Sequence, residues 1–292
     1  MVLLISKSSS SSTLFSALQE VMIIPKNNKT IFTVFFFKLD SDSLKNQKYV
    51  ICMVGKSQIK FIKSLQQKKY RNEHRLFVVE GKKNVEELLN SNLEVYKLFS
   101  THLDFVDENI AIAEFIKLVD LKKISSLSTP NGFLGVFKMP IAREVNLEDW
   151  VVALDTISDP GNLGTIIRLC DWFGISDIVC TTNTVDCYNP KVLQATMGSI
   201  TRVNLVYLNL VEFLKTVKVP VYGAFMDGES IYGSKMPKKG IVVMGNEANG
   251  ISDEVSKTIK KRVSIPQYGE KTTESLNVAT AIAILLSEIR RK

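Results

Sequence analysis

From Val151 onward, apolar positions fall in two alternating spacings. Short continuous runs, "VVALDTI", "DIVC", "RVNLVYL", "VPVYGAFM" and "GIVVMG", read as buried strands. Between them, "GTIIRLCDWFG", "NPKVLQATMGS" and "LVEFLKTV" carry apolar residues at helical spacing, with Pro190 at a favoured first-turn position. "SDEVSKTI" predicts a further helix capped by Ser252, and the apolar run from Val278 to Ile289 predicts a terminal one. Strands alternating with helices imply an α/β fold whose parallel sheet is covered on both faces.

Upstream, "SQIKFIKSLQQKKY" predicts one amphipathic helix, with Ile59, Ile62 and Gln66 on one side and Phe61 and Leu65 beside them. "LFVV" is a short strand, Gly81 a turn, and "KKNVEELLNS" a helix with the stripe Val85, Leu88, Leu89. "EVYKLF" is the next strand, and "STPNGFLGVFKM" joins a Pro-Asn-Gly turn to a closing strand. This is a smaller α/β unit. Residues 1–52 differ: Ser8 to Ser12 form a homopolymer, no Arg precedes Arg71, and patches such as "IFTVFFF" keep no sustained period. The expected organisation is a disordered tail or extended reading frame over 1–52, a first domain over 53–140, a linker over 141–150 and a second domain over 151–292. A chain starting at Met53 is expected to fold and function.

A length of 292 residues suits two domains, and 45% hydrophobic with 23% charged residues is globular chemistry. No run approaches the roughly 18 apolar residues of a membrane helix. The four cysteines show no Cys-x-x-Cys spacing and there are two histidines, which argues against zinc and against a disulfide framework; a reducing cytoplasm is the default. The net charge of +7 changes the picture only through its distribution. Lys60, Lys63, Lys68, Lys69 and Arg71 crowd the start of the first domain with little acidic opposition, which points to nucleic-acid contact.

In a doubly covered parallel sheet, ligands bind beyond the carboxyl ends of the strands. Three segments leave such ends with unusual composition. "SDPGNLGTIIRL" has a Pro-Gly turn, a glycine (Gly164) that permits close backbone approach, and Arg168 one turn into a helix. It matches neither the dinucleotide fingerprint nor a phosphate-loop motif. "MGNEANGIS" places Asn246, Glu247 and Asn249 between two glycines, where Glu247 can hold the loop or meet a ligand. "SLNVATAIAILL" offers Ser275 as a helix cap and leaves Asn277, a poor helix former, in the first turn.

Together, "DPGNLGTIIR", "GNEANGI" and "IP…SLNVATAIAILL" resemble the three motifs of the SpoU/TrmH family of RNA ribose methyltransferases, in the SPOUT superfamily. "FVVEGKKNVEELL" and "STPNGFLGVF" resemble the substrate-binding domain often fused in front. The resemblance implies a deep trefoil knot in the C-terminal domain, a homodimer packed through the last helix, and no metal. It implies S-adenosylmethionine held by main-chain groups at Gly245, Ile265 and Leu276. The implied reaction moves a methyl group to a ribose 2′-oxygen of ribosomal or transfer RNA, with Arg168, Asn162, Glu247, Ser275 and Asn277 as the catalytic set. The apolar run Ala279, Ile282, Ala283, Leu285, Leu286, Ile289 is the expected dimer face. The competing readings are an RNA- or S-adenosylmethionine-binding module without turnover and a base-methylating knotted enzyme.

Overall fold

The structure is a computed structural model. It describes residues 18–26, 29–36, 48–51, 54–109, 111–233, 235–269 and 275–291. Three strands precede the first domain: β1 (Leu18–Lys26), β2 (Lys29–Phe36) and β3 (Lys48–Ile51), an antiparallel sheet in that order. The sequence pattern showed no regular element there. Aromatic and β-branched runs such as "IFTVFF" nevertheless favour extended backbone. Residues 1–17 lie outside the described residues.

The first domain comprises α1 (Lys56–Ser64), α2 (Lys68–His74), β4 (Leu76–Glu80), α3 (Lys82–Leu89), β5 (Val95–Ser100), α4 (Leu103–Glu108), β6 (Ala113–Phe115), α5 (Leu118–Ile124) and β7 (Phe133–Lys138). Its sheet runs β4-β7-β5-β6, with β7 antiparallel to both neighbours and β5 parallel to β6. The single helix expected over 57–70 is two. The break exposes the carbonyls of Leu65 and Gln66, and the Arg71 Nη1 donates to both, at 3.0 and 2.7 Å. A helix end whose carbonyls find a buried guanidinium is satisfied without continuing.

The second domain holds β8 (Trp150–Leu154), α6 (Pro160–Trp172), β9 (Asp177–Thr181), α7 (Pro190–Thr196), β10 (Asn204–Leu208), α8 (Leu210–Thr216), β11 (Val221–Ser230), β12 (Gly240–Met244), α9 (Asp253–Ser256), β13 (Lys261–Ser264) and α10 (Val278–Arg290). All pairs in its six-stranded sheet are parallel, in the order β10-β9-β8-β12-β11-β13. One face, with Val152, Leu154, Ile178, Cys180, Val242 and Met244, shares a core with α6 and α10. The other, with Val151, Ala153, Val179, Ile241 and Val243, shares one with α8 and α9. Coverage on both faces is why these strands read as continuous apolar runs. β8 and β12 are adjacent central strands, and the chain leaves β8 toward β9 on one side while β11 lies on the other. The loops after β8 and β12 therefore meet at the reversal of strand order, a favoured ligand position.

The domains are bolted together. Arg71, 2% exposed, pairs through Nε and Nη2 with Asp186 Oδ2 at 3.0 and 2.5 Å. Phe77 lies 4.7 Å from the ring centre of Tyr188, and Arg202 bridges Glu87 and Asp171. Cys170, Cys180 and Cys187 are free and buried. Burial pushes all three thiols up, that of Cys187 to about 12. No helix among the described residues is long and apolar enough to cross a membrane.

Gly164 sets the approach of α6 to α7. A β-carbon there would lie 2.5 Å from Ala195 Cβ and 2.8 Å from the Val192 carbonyl oxygen. Gly164→Ala is expected to push the helices apart and lower stability by about 1–3 kcal/mol. The readout is the urea midpoint at unchanged slope; an unmoved midpoint would contradict this packing.

Candidate active site

Two strand ends and one helix start build the site. Leaving β8, Asp155 is 2% exposed and accepts from the Ser252 N–H (2.8 Å) and hydroxyl (2.7 Å) through Oδ2, and from the Thr156 hydroxyl (3.0 Å) through Oδ1. Thr156 holds a positive φ of 61°. Its N–H donates to Thr181 Oγ1 at 2.8 Å, and its carbonyl accepts from Asn246 Nδ2 at 2.7 Å. The loops after β8 and β12 are thus locked by partly buried polar contacts before any ligand is considered. Ser252 precedes α9 as expected, but its hydroxyl serves Asp155 rather than the helix.

The expected glycine loop is largely the first turn of α6. Asp159 is the cap, its Oδ1 accepting from Asn162 N–H at 2.7 Å, with Pro160 at the first position. Gly164 consequently approaches α7, not a ligand. After β12, the segment 246–250 doubles back, with Asn246 and Gly250 exchanging backbone hydrogen bonds. A β-carbon on Gly245 would lie 2.0 Å from the Gly250 carbonyl carbon, so only glycine fits.

At α10 the cap is Asn277, not Ser275. Asn277 Oδ1 accepts from the N–H groups of Ala279 (2.9 Å) and Thr280 (3.2 Å). Both residue types cap well; Asn is selected because its second amide atom has a further task. Asn277 Nδ2 donates to Asn162 Oδ1 at 2.9 Å. Asn162 Nδ2 donates to Glu247 Oε1 at 2.9 Å, and the Ser158 hydroxyl donates to Glu247 Oε2 at 3.3 Å. One relay therefore joins all three segments. Its direction is fixed at one end by helix N–H groups, which only donate, and at the other by a carboxylate, which only accepts.

Sequence reasoning found the members of this relay, Ser158 excepted, but missed the support from Asp155, Thr156 and Asn246. An Asp closing a fully apolar strand was the available signal. The structure does not join Arg168 and Ser275 to the relay: both are exposed. Arg168 lies more than two turns into α6, further than its sequence position suggested, and four residues from Trp172, which is 83% exposed. Lys60, Lys63, Lys68 and Lys69, the expected RNA-binding residues, are exposed. Arg71, expected with them, is no surface charge, because it is buried against Asp186. The dimer face also needs correction. Ala279, Ile282, Leu285, Leu286 and Ile289 are buried within the chain itself, where α10 packs on α6 and the sheet.

The sequence pattern of the SpoU rRNA methylase family matches residues 149–287, and that of the MRM3-like substrate binding domain matches residues 56–135. The 23S rRNA (guanosine(2553)-2'-O)-methyltransferase RlmP of Bacillus subtilis is 30% identical over 256 residues, spanning 85% of this chain and 98% of its own length. The chain belongs to the SpoU methylase family. RlmB of Neisseria meningitidis, a 23S rRNA (guanosine-2'-O-)-methyltransferase, is 26% identical over 74% of this chain and 86% of itself. Among solved structures, a TrmH-family protein of Porphyromonas gingivalis superposes with a TM-score of 0.73 at 40% identity, over 82% of this chain and 99% of its own. An AdoMet-bound rRNA methyltransferase of Sinorhizobium meliloti gives 0.72 at 29%, over 83% and 97%.

The residues of this SpoU-family chain fit S-adenosylmethionine. Gly245 follows β12, and its missing β-carbon makes room for the Gly250 backbone. The main-chain groups of Ile265 and Leu276 make no hydrogen bond to another described residue, and Leu276 is 49% exposed. Donors and acceptors of the kind an adenine edge needs are thus left open at Ile265 and Leu276. Residues 270–274, which complete the polar stretch between them, lie outside the described residues.

Proposed function

We infer that this chain transfers a methyl group from S-adenosylmethionine to a ribose 2′-oxygen of ribosomal RNA. The observation that carries the reading is the relay Glu247–Asn162–Asn277, which assembles the three motif segments around Gly245 and Leu276. The rRNA specificity of the named relatives favours ribosomal over transfer RNA. The cofactor supplies an already activated methyl group, so the chain has to position the ribose hydroxyl and stabilise its oxygen as the proton leaves. Glu247 and Asn162 act as positioning residues, because their hydrogen-bonding groups are already committed to one another.

Arg168 lies on α6, the helix that also carries Asn162, and has no ion pair with another described residue. A guanidinium keeps its proton in proteins, so its role is to pair with the developing alkoxide or the adjacent phosphate. The reading places residues 53–140 as the RNA-gripping domain and includes the knot and the homodimer. α10 returns to α6 after the chain has passed through β11, β12 and β13, which supports the knot. The exposed Trp172 at the end of α6 supports a partner copy against that helix. Cytoplasmic placement, read from cysteine usage, belongs to the same reading.

Arg168→Lys and Arg168→Ala are expected to keep cofactor affinity but lose methyl transfer by roughly a hundredfold or more, the effect of removing one preorganised donor. Single-turnover transfer beside calorimetric cofactor titration reads both, and mass spectrometry of the product nucleosides identifies 2′-O-methylation. A base-methylated product, or wild-type chain that binds cofactor and rRNA without transfer, would overturn the reading. Neutralising Lys60, Lys63, Lys68 and Lys69 together is expected to weaken RNA binding and flatten its salt dependence while sparing cofactor affinity. An unchanged salt slope would remove these lysines from the RNA surface.

A further inference from the structure

A second feature lies apart from the relay. A cleft of about 590 Å³ opens between the domains and contains none of the relay residues. Its neutral polar lining comes from Gln66, Asn84, Ser126 and Ser128 of the first domain and from Gln194 of α7 and its cap, Asn189. Val78, Val79, Leu127 and Leu193 supply apolar wall.

The charge balance excludes a phosphate site. Lys191 is the one cation in the lining and Glu80 the one carboxylate. Glu80 is already satisfied: it accepts from the Ser125 hydroxyl, the Ser126 N–H (2.7 Å) and the Ser126 hydroxyl (2.5 Å), which fixes the 125–128 loop as a wall. What remains open are neutral groups. The side chains of Gln66 and Gln194 have no hydrogen bond to another described residue. Asn189 uses Oδ1 on the Lys191 N–H and keeps its amino group. Asn84, 3% exposed, gives Nδ2 to the Glu80 carbonyl at 3.3 Å while its Oδ1 has no donor. A buried acceptor without a donor is costly, and an occupant carrying an N–H group would relieve it.

Apolar walls edged by amides and hydroxyls match one chemistry well: a nucleobase, whose faces are apolar and whose edge mixes donors and acceptors. We propose that this interdomain cleft is a subsite for an unpaired base of the RNA substrate, a nucleotide next to the one methylated. The proposal rests on the methyltransferase reading. Placement favours a neighbouring nucleotide, because α7 forms one wall of the cleft and packs through Ala195 on Gly164 of α6, the helix that carries Asn162 and Arg168. The cleft and the reacting ribose are thus separated by about one helix, so a base seated here would set which ribose reaches Arg168.

The test uses Gln66→Leu and Gln194→Leu, both at exposed positions outside the core. The full chain is titrated with single-stranded RNA octanucleotides differing in base, at several salt concentrations. S-adenosylmethionine and free nucleosides are titrated in parallel. The wild type is expected to prefer one base, and each variant to lose that preference and bind about tenfold more weakly, the value of a lost base-edge contact. The salt slope and S-adenosylmethionine affinity should not move, since neither phosphate nor cofactor is involved. Variants that keep wild-type affinity and preference, a wild type without base preference, or a changed salt slope would each overturn the subsite. Variants with weakened S-adenosylmethionine binding would reassign the cleft to the cofactor and overturn it as well. A wild-type chain that methylates RNA while the variants behave normally sinks the cleft alone; a wild type that methylates no RNA sinks the methyltransferase reading.

Discussion

The amide of Asn162 is the constraint on which the site depends. It lies 85 residues from Glu247 and 115 from Asn277, yet it touches both. Each neutral link of such a chain is worth about 1 kcal/mol, and the one to a carboxylate about 1.5–3. The sum is modest against folding but large against the freedom of three loops. The direction of the relay matters as much as its strength. Asn277 must turn its oxygen to the α10 N–H groups, so it must offer its amino group to Asn162, which must then offer its own to Glu247. No member can flip without leaving a neighbour unsatisfied. Main-chain positions on either side, Gly245 before Glu247 and Leu276 before Asn277, inherit that order.

A second constraint ties the site to the first domain. Asp186, held by buried Arg71, belongs to the segment after β9, and that segment is also fastened to the catalytic loop. Val185 N–H donates to the Ile157 carbonyl at 2.9 Å, and Thr181 accepts from Thr156. Tyr207 closes the segment by donating to the Val185 carbonyl and accepting from Cys187 N–H. Rotation of the first domain therefore cannot be independent of Ile157 and Ser158. On the proposed reading, an RNA gripped by the exposed lysines of α1 and α2 would meet a loop after β8 whose orientation to the first domain is already set. Breaking a buried pair such as Arg71–Asp186 leaves an uncompensated charge, which is why its loss is more damaging than that of a surface bridge.

The architecture was legible because both faces of the second sheet are buried, leaving apolar runs that only strands of that length explain. β13 was not legible: four residues, two of them Lys261 and Arg262, give no apolar run. The break between α1 and α2 was hidden because its cause, Arg71, is drawn inward by Asp186, which lies 115 residues further along the chain. The same pairing explains why a residue in a basic cluster is no surface charge. At the site, Glu247 and Asn277 stood out by residue type and position, whereas Asn162 entered only through the family resemblance. The choice of Asn277 over Ser275 as cap was not legible, because local preference allows either and Asn162 decides it. The role of Gly164 was invisible for a similar reason: glycine announces close approach without naming the partner.

The most direct test of the central claim is Asn162→Asp, a change that replaces one amino group by oxygen at nearly constant volume. The new carboxylate still accepts from Asn277 but faces Glu247 with like charge. Two carboxylates at hydrogen-bond distance cannot both ionise cheaply, so one proton is retained to higher pH than usual. Calorimetric titration of S-adenosylmethionine should then show weak binding at pH 8, where both groups are charged, and recovery toward pH 5, where they share a proton. The wild type should lack this dependence. Wild-type affinity in the variant at both pH values would show that the three segments are held by something other than the Asn162 relay.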